Sequence, residues 1–210
     1  MKRKLILTDV DGTLTKKSVV LSHAGYLINH KIIKDNGSFK AWSSDMKNES
    51  LIVAVAENYR KEIQGKEIKE LRVKEFMSGF INNKDNWYPT LKELETIRTQ
   101  DNVDIILVTG SSDFLIKELA NYLSCQFKAT KYLLENNRLT GNVIGMFSET
   151  QKKEFVQKEV CLSHYEYIEA WGDTTSDYGL FQYADYKRLV EPTKETLASL
   201  IQRTKIDEII

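Results

Sequence analysis

Apolar positions along this chain follow two different rhythms. The unbroken run Leu5-Ile6-Leu7 follows a basic start. A run without alternation predicts a short strand buried on both faces, as in the middle of a parallel sheet. Helical spacing then takes over. Residues 19–33 place Val20, Leu21, Ala24, Leu27, Ile28 and Ile32 near one helix face. Gly37-Ser38 reads as a stop, followed by a polar stretch around Trp42. Ser44 or Asp45 caps a second helix with Leu51, Ile52, Val55, Ala56 and Tyr59 as its apolar positions. Gly65 ends that helix, and a third over 67–81 presents Ile68, Leu71, Val73, Phe76 and Phe80. A polar loop covers 82–86.

Beyond that loop the strand rhythm returns. Pro89-Thr90 opens a helix over 91–98, and Val-Asp-Ile-Ile-Leu-Val at 103–108 predicts a second buried strand. A helix starts at Asp113 and runs over 114–123. Short β-rich pieces follow at 126–129, 132–134 and 138–140 around an Asn136-Asn137 turn, and 141–147 reads as loop. Then come a helix over 151–160, a strand from 167 ending at Gly172, a short helix over 178–183, a strand over 186–190 and a helix over 195–203. The tail at 205–210 carries no clear pattern. Outside 16–87 the order is strand, helix, strand, helix, which implies a parallel sheet with right-handed crossovers. The fold class expected is therefore α/β: a Rossmann-like three-layer core from 1–15 and 88–210. Residues 16–87 form an inserted all-helical cap over the sheet's carboxyl edge.

Composition narrows the functional classes. The chain has 210 residues, 41% hydrophobic and 29% charged, with 30 basic and 30 acidic residues. That supports one core plus an insertion, and no global attraction to nucleic acid. No basic stripe with interleaved aromatics occurs. Met1-Lys-Arg-Lys begins like a secretory leader, but three apolar residues are too few for one, and no later run has membrane-spanning length. Cys125 and Cys161 lack metal or redox spacing, so they are expected to be reduced thiols in a cytoplasmic protein.

Candidate chemistry sits at the strand ends. Asp9 and Asp11 are two apart, so in extended chain both carboxylates leave on one side. Gly12 follows and lets the backbone turn closely around a ligand. The second strand ends in Thr109-Gly110-Ser111-Ser112 before a helix start, a place where a hydroxyl and free N–H groups bind an oxyanion. Another strand ends in Gly172-Asp173-Thr174-Thr175-Ser176-Asp177. Each fragment alone also fits a commonplace role, as an Asx-Gly turn or a helix cap. Together they bring Asp9, Asp11, Thr109, Asp173 and Asp177 to one edge of a parallel sheet. Such carboxylates and hydroxyls are hard oxygen ligands suited to Mg²⁺ and phosphate.

With these motifs in order, the sequence resembles the haloacid dehalogenase superfamily of phosphohydrolases, in its phosphoserine-phosphatase-like branch with a helical cap. The matching pieces are Asp9-Val10-Asp11-Gly12-Thr13, Thr109 after its strand, a lysine at a helix head, and Gly172-Asp173 through Asp177. Ala129-Thr130-Lys131 through Asn137-Arg138-Leu139-Thr140-Gly141 is also similar to that branch. The resemblance covers nearly the whole chain. It implies a phosphomonoesterase working through an aspartyl-phosphate, with Asp9 as nucleophile and Asp11 as general acid and base. Mg²⁺ would be held by Asp9, the Asp11 main-chain carbonyl and Asp173. Thr109, with Gly12, Gly110 and the lysine, would bind the phosphate, and Asp177 would orient the lysine or a metal-bound water.

Lys152 is the expected lysine, with Lys153 beside it and Lys131 as a rival. The substrate expected is a small phosphorylated metabolite. Phosphoserine or another amino-alcohol phosphate is an alternative, although residues 14–19 lack the carboxylate that commonly meets the substrate amine in phosphoserine phosphatases. A non-catalytic phospho-ligand-binding regulator on the same fold is a second alternative. Arg60, Arg72 and Lys74 are the insertion's candidate basic contacts, while His23, His30 and His164 show no evident partner in the sequence.

Overall fold

The computed structural model describes residues 3–44, 49–145 and 148–210, and the side chains of 44 and 49–51 lie outside that description. Strand β1 (Lys4–Thr8) is built on Leu5, Ile6 and Leu7, all fully buried. Helix α1 (Val19–Asn29) starts where the Ser18 hydroxyl accepts from the Leu21 N–H. It stops four residues short of the expected end. Lys31 turns left-handed (φ 58°), and the N–H groups of Lys31 and Ile32 return to the carbonyls of Ile28 and Leu27. This is a Schellman closure, which apolar periodicity does not reveal.

Helix α2 (Ser38–Ser44) forms where a stop and a polar stretch were expected. The Asp35 carboxylate accepts from the N–H groups of Gly37, Phe39 and Lys40 and so supplies its start. Helix α3 (Glu49–Ile63) buries Val55 and Tyr59. The cap expected at Asp45 lies outside the described residues, as do the side chains of Ser44 and Leu51. The single helix expected over 67–81 is two pieces. A 3-10 turn, Ile68–Leu71, ends at left-handed Arg72 (φ 47°), and α4 (Val73–Asn82) follows. Here the Leu71 carbonyl takes a hydrogen bond from His23 instead of a helical N–H.

Helix α5 (Pro89–Ile97) has Pro in its first turn. Strand β2 (Val103–Ser112) runs on through Thr109-Gly110-Ser111, and α6 (Asp113–Leu123) follows at once. Two full strands, β3 (Gln126–Glu135) and β4 (Arg138–Ile144), replace the three fragments expected there. Asn136 and Asn137 both turn left-handed, as a two-residue hairpin of the primed kind requires. The loop expected over 141–147 is therefore strand as far as Ile144, and its positions 146 and 147 lie outside the described residues.

Helix α7 (Glu149–Glu159) opens with a Ser148–Gln151 capping box. It leads to β5 (Tyr167–Gly172), then a 3-10 turn Thr175–Asp177, α8 (Tyr178–Phe181), β6 (Tyr186–Leu189) and α9 (Lys194–Ile201). The patternless tail adds β7 (Glu208–Ile209), two residues that pair with β6. So short a strand has no periodicity to read.

The sheet order is β4-β3-β2-β1-β5-β6-β7, with β3 and β4 antiparallel and the other neighbours parallel. Ile6, Leu107 and Trp171 pack on one face with α1, α3, α4, α5 and α6. Leu5, Leu7, Ile106 and Val108 pack on the other with α7, α8 and α9. This is the three-layer α/β arrangement expected. Chain order reverses direction at β1, since β2 lies on one side of it and β5 on the other. That switch point is where open α/β sheets take ligands, beyond the strands' carboxyl ends. The chain leaves the sheet edge at Thr15 and returns at Trp87, and the two residues bridge each other. Lys16 N–H donates to the Asn86 carbonyl and Tyr88 N–H to that of Leu14.

Candidate active site

Thr8 pairs with Leu107 on one side and with Trp171 on the other. Continuing that register sets Thr109 and Asp173 level with Val10, between Asp9 and Asp11. After Asp9 the chain curls tightly, because the Val10 carbonyl accepts from the N–H groups of Thr13, Leu14 and Thr15. Gly12 takes φ +88°, and a Cβ there would overlap the Asp173 carboxylate. The turn is thus shaped for a close approach between the β1 and β5 loops. Thr13 Oγ1 donates to Asp173 Oδ1 at 3.4 Å.

Lys152 projects from the first turn of α7 and is 3% exposed. Its Nζ donates to Asp9 Oδ1 at 2.8 Å and to Asp177 Oδ1 at 2.6 Å. The other oxygen of Asp177 accepts from the N–H groups of Asp173 and Thr174, both at 3.0 Å. One buried carboxylate thereby fixes both the lysine and the loop that carries Asp173. Of the three lysines left open by sequence, Lys153 is half-buried and Lys131 exposed, and neither pairs with these acids. Gly172 is required beside Asp177, and Gly179 lets α8 approach the Glu149 carbonyl of α7.

Asp11 faces β2. Its Oδ2 accepts from Thr109 Oγ1 at 3.0 Å and Ser111 Oγ at 2.7 Å, and its Oδ1 from the Val19 N–H at 2.6 Å. Ser111 was not singled out by sequence, although it lies two residues past Thr109 on one strand and so shares its side. Its spacing was the available signal.

Burial pushes the Asp9 carboxyl up to about 8; Lys152 pulls it down, while Asp177 and Asp11 push it further up. Burial, then Asp177 and Asp9, hold Asp173 well above the usual carboxylate range. Burial works against the Lys152 ammonium, but Asp177 and Asp9 outweigh it and its pKa is raised. Two acids that disfavour each other's charge suit a site that receives a cation. Among the described residues no three His, Cys, Asp or Glu side chains converge as a metal cluster. The implied set needs only two carboxylates and a main-chain carbonyl, and its hard oxygens fit a divalent cation that keeps water and phosphate as further ligands.

Above these groups lies a cavity of about 640 Å³. Asp9, Asp11, Lys152 and Asp173 line its charged end, with Gly110 and Ser111 beside them. Its walls come from α1 (Val20, Leu21), α3 (Ile52, Val53, Ala56, Glu57, Arg60) and the β3–β4 hairpin (Tyr132, Val143), with the hydroxyls of Ser18, Thr174 and Ser176 also on the lining. Arg60 is the basic residue of the insertion that reaches it; Arg72 faces Glu75 at the surface and Lys74 is exposed. His23 does have partners: its Nε2 donates to the Leu71 carbonyl and its Nδ1 accepts from the Tyr59 hydroxyl.

The order of strands and the helices set between β1 and β2 give this chain a fold shared with solved phosphoserine phosphatases and a HAD family hydrolase. Its sequence matches no family model and no curated protein. Among solved structures it is similar to a protein of unknown function from Bordetella pertussis Tohama I, at 16% identity and a TM-score of 0.78, over 100% of this chain and 99% of that one. It is also similar to a phosphoserine phosphatase in apo form (18% identity, TM-score 0.64, 100% and 94% covered). A HAD family hydrolase from Salmonella enterica serovar Typhi gives 15% identity and a TM-score of 0.67, over 99% of this chain and 67% of that one.

Proposed function

We propose that this chain is a Mg²⁺-dependent phosphomonoesterase that hydrolyses a small phosphorylated metabolite through an aspartyl-phosphate. The observation that carries the reading is the buried Lys152 ammonium shared by Asp9 and Asp177, beside Asp173, at the sheet's carboxyl edge. Asp9, Asp173 and the Asp11 main-chain carbonyl would hold the cation, which when bound lets two anions meet and polarises the phosphoryl group.

Asp9 attacks phosphorus, and the P–O bond to the alcohol breaks. Asp11 gives the leaving oxygen its proton, then takes one from the water that displaces Asp9. Thr109 and Ser111 can follow both states of Asp11, because a hydroxyl both donates and accepts. Lys152 offsets charge on Asp9 and on the transferring oxygens, and Asp177 keeps it oriented. Gly110 borders the phosphate pocket with Thr109 behind it holding Asp11, while Gly12, whose N–H donates to the Thr15 carbonyl, shapes the turn rather than binding the phosphate as expected. Residues 16–87 act as a cap over the core of 1–15 and 88–210, excluding water around the ester.

An intact Asp9, Asp11, Lys152 and Asp173 set speaks against a non-catalytic regulator. The reading also sets the protein in the cytoplasm, where the free Cys125 and Cys161 remain reduced. Among the described residues no helix is long and apolar enough to cross a membrane. Asp9→Asn tests the proposal directly. Turnover of p-nitrophenyl phosphate should fall by more than about 10³-fold while thermal melting stays cooperative; near-normal turnover would refute the nucleophile.

A further inference from the structure

We infer that the ester taken by this site carries its phosphate on an apolar alcohol of several carbons rather than on an amino acid or a polyol. The inference rests on the phosphomonoesterase reading and names the substrate class for the same cavity. Most of the wall outside the charged end is a belt of Val20 and Leu21 from α1, Ile52 and Ala56 from α3, Val143 from β4 and the Tyr132 ring from β3. Four separate elements contribute, so the belt surrounds whatever the phosphate carries.

Positions 52, 56 and 60 share one face of α3, one turn apart. With a rise of about 1.5 Å per residue, Ile52 and Ala56 span about 6 Å and Arg60 stands about 6 Å further on. Glu57, one residue past Ala56, and Arg60 bring charge into the same cavity. Glu57 and Arg60 also line a second, polar cavity of about 660 Å³ that continues to Lys61, Gln64 and Asn142. The apolar stretch of α3 from Ile52 to Ala56 is thus about as long as a four- to six-carbon chain. A cavity of about 640 Å³ also lies in the range that encloses ligands larger than a three-carbon ester.

Outside the charged end, Glu57 is the carboxylate among the described residues of this cavity, and a charged group that does not reach it lies against Val20, Leu21 or Ile52. Unpaired charge against an apolar wall is disfavoured, whereas each methylene buried there gains about 0.8 kcal/mol, or about fourfold in binding.

The experiment compares kcat/KM of the full chain with Mg²⁺ on propyl, butyl, hexyl and octyl phosphate, glycerol 3-phosphate, phosphoethanolamine and phosphoserine. Specificity should rise about fourfold per methylene up to about six carbons, leaving hexyl phosphate about 50-fold above propyl phosphate and further above the polar esters. Ala56→Asp, checked for a cooperative melt, should bring the ratio of hexyl to glycerol ester close to one. Phosphoserine or glycerol 3-phosphate turned over as well as hexyl phosphate would overturn the inference and leave the phosphatase reading standing. Failure to hydrolyse any ester, p-nitrophenyl phosphate included, would overturn both. The alkyl series decides the matter on the unmodified chain, even if the Ala56 variant does not fold.

Discussion

Lys152 holds together two carboxylates that would otherwise repel in a buried place. Removing it leaves Asp9 and Asp177 facing each other without a counter-charge, and breaking one partner of a buried ion pair costs about 3 kcal/mol or more. Lys152→Ala should therefore lower the urea midpoint and abolish turnover. Lys153→Ala, at a half-buried position with no acid partner at this site, should change stability by less than about 0.5 kcal/mol and leave turnover near normal. Side-by-side denaturation and rate measurements check both; equal losses would return the choice of lysine to the open state. The acids were legible because each stands at the end of an apolar run, where the strand period fixes its direction. The lysine was narrower to read, since adjacent helix residues point about 100° apart and the rotation of α7 depends on packing against α8. Ser111 escaped notice because a Thr-Gly-Ser-Ser run before a helix looks like capping, and only continuation of β2 through it reveals an aligned hydroxyl pair.

Two contacts between elements set how firmly the site is framed. His23 ties α1 to α3 through Tyr59 and to the 3-10 turn through Leu71. Burial lowers its pKa from 6.5 to about 4, the Leu71 hydrogen bond opposing in part. The folded chain thus keeps His23 neutral while the unfolded chain takes up a proton below about 6.5. Its contribution is fully present above that value and is lost as pH falls toward 4, by on the order of 3 kcal/mol. Urea unfolding at a series of pH values should show this slope, and His23→Gln should flatten it; an unchanged slope would assign the acid sensitivity elsewhere. Gly179 marks the second contact. A methyl there overlaps the Glu149 carbonyl and crowds the Lys153 amide, so Gly179→Ala should push α7 outward and cost about 1–3 kcal/mol. Because Lys152 rides on that helix, turnover should fall more than stability alone explains. Helix and strand identities were mostly readable, but helix ends were not. The breaks at Lys31 and Arg72 depend on left-handed non-glycine residues and on a histidine from another helix, neither of which leaves a periodic trace.

At the scale of the whole molecule, the sheet order matters more than any element's length. With β1 flanked by β2 and β5, three loops distant in sequence share one edge, and the electrostatic strain between Asp9 and Asp173 arises from that arrangement. A divalent cation should relieve it. Adding Mg²⁺ should raise the melting temperature, and a chelator should reversibly remove both that gain and all ester hydrolysis; activity that persists through exhaustive chelation would exclude the cation from the chemistry. The parallel core was legible because its connections are regular, while the β7 edge strand was not, being two residues long and defined by its partner. The bridge between Thr15 and Trp87 has a broader consequence. Since the helical excursion departs and rejoins at a single seam, it can lengthen, shrink or be exchanged over generations without any strand changing neighbours. On the proposed reading, selectivity can then drift faster than reactivity, since the excursion supplies most of the cavity's apolar wall and meets Asp11 through the Val19 N–H.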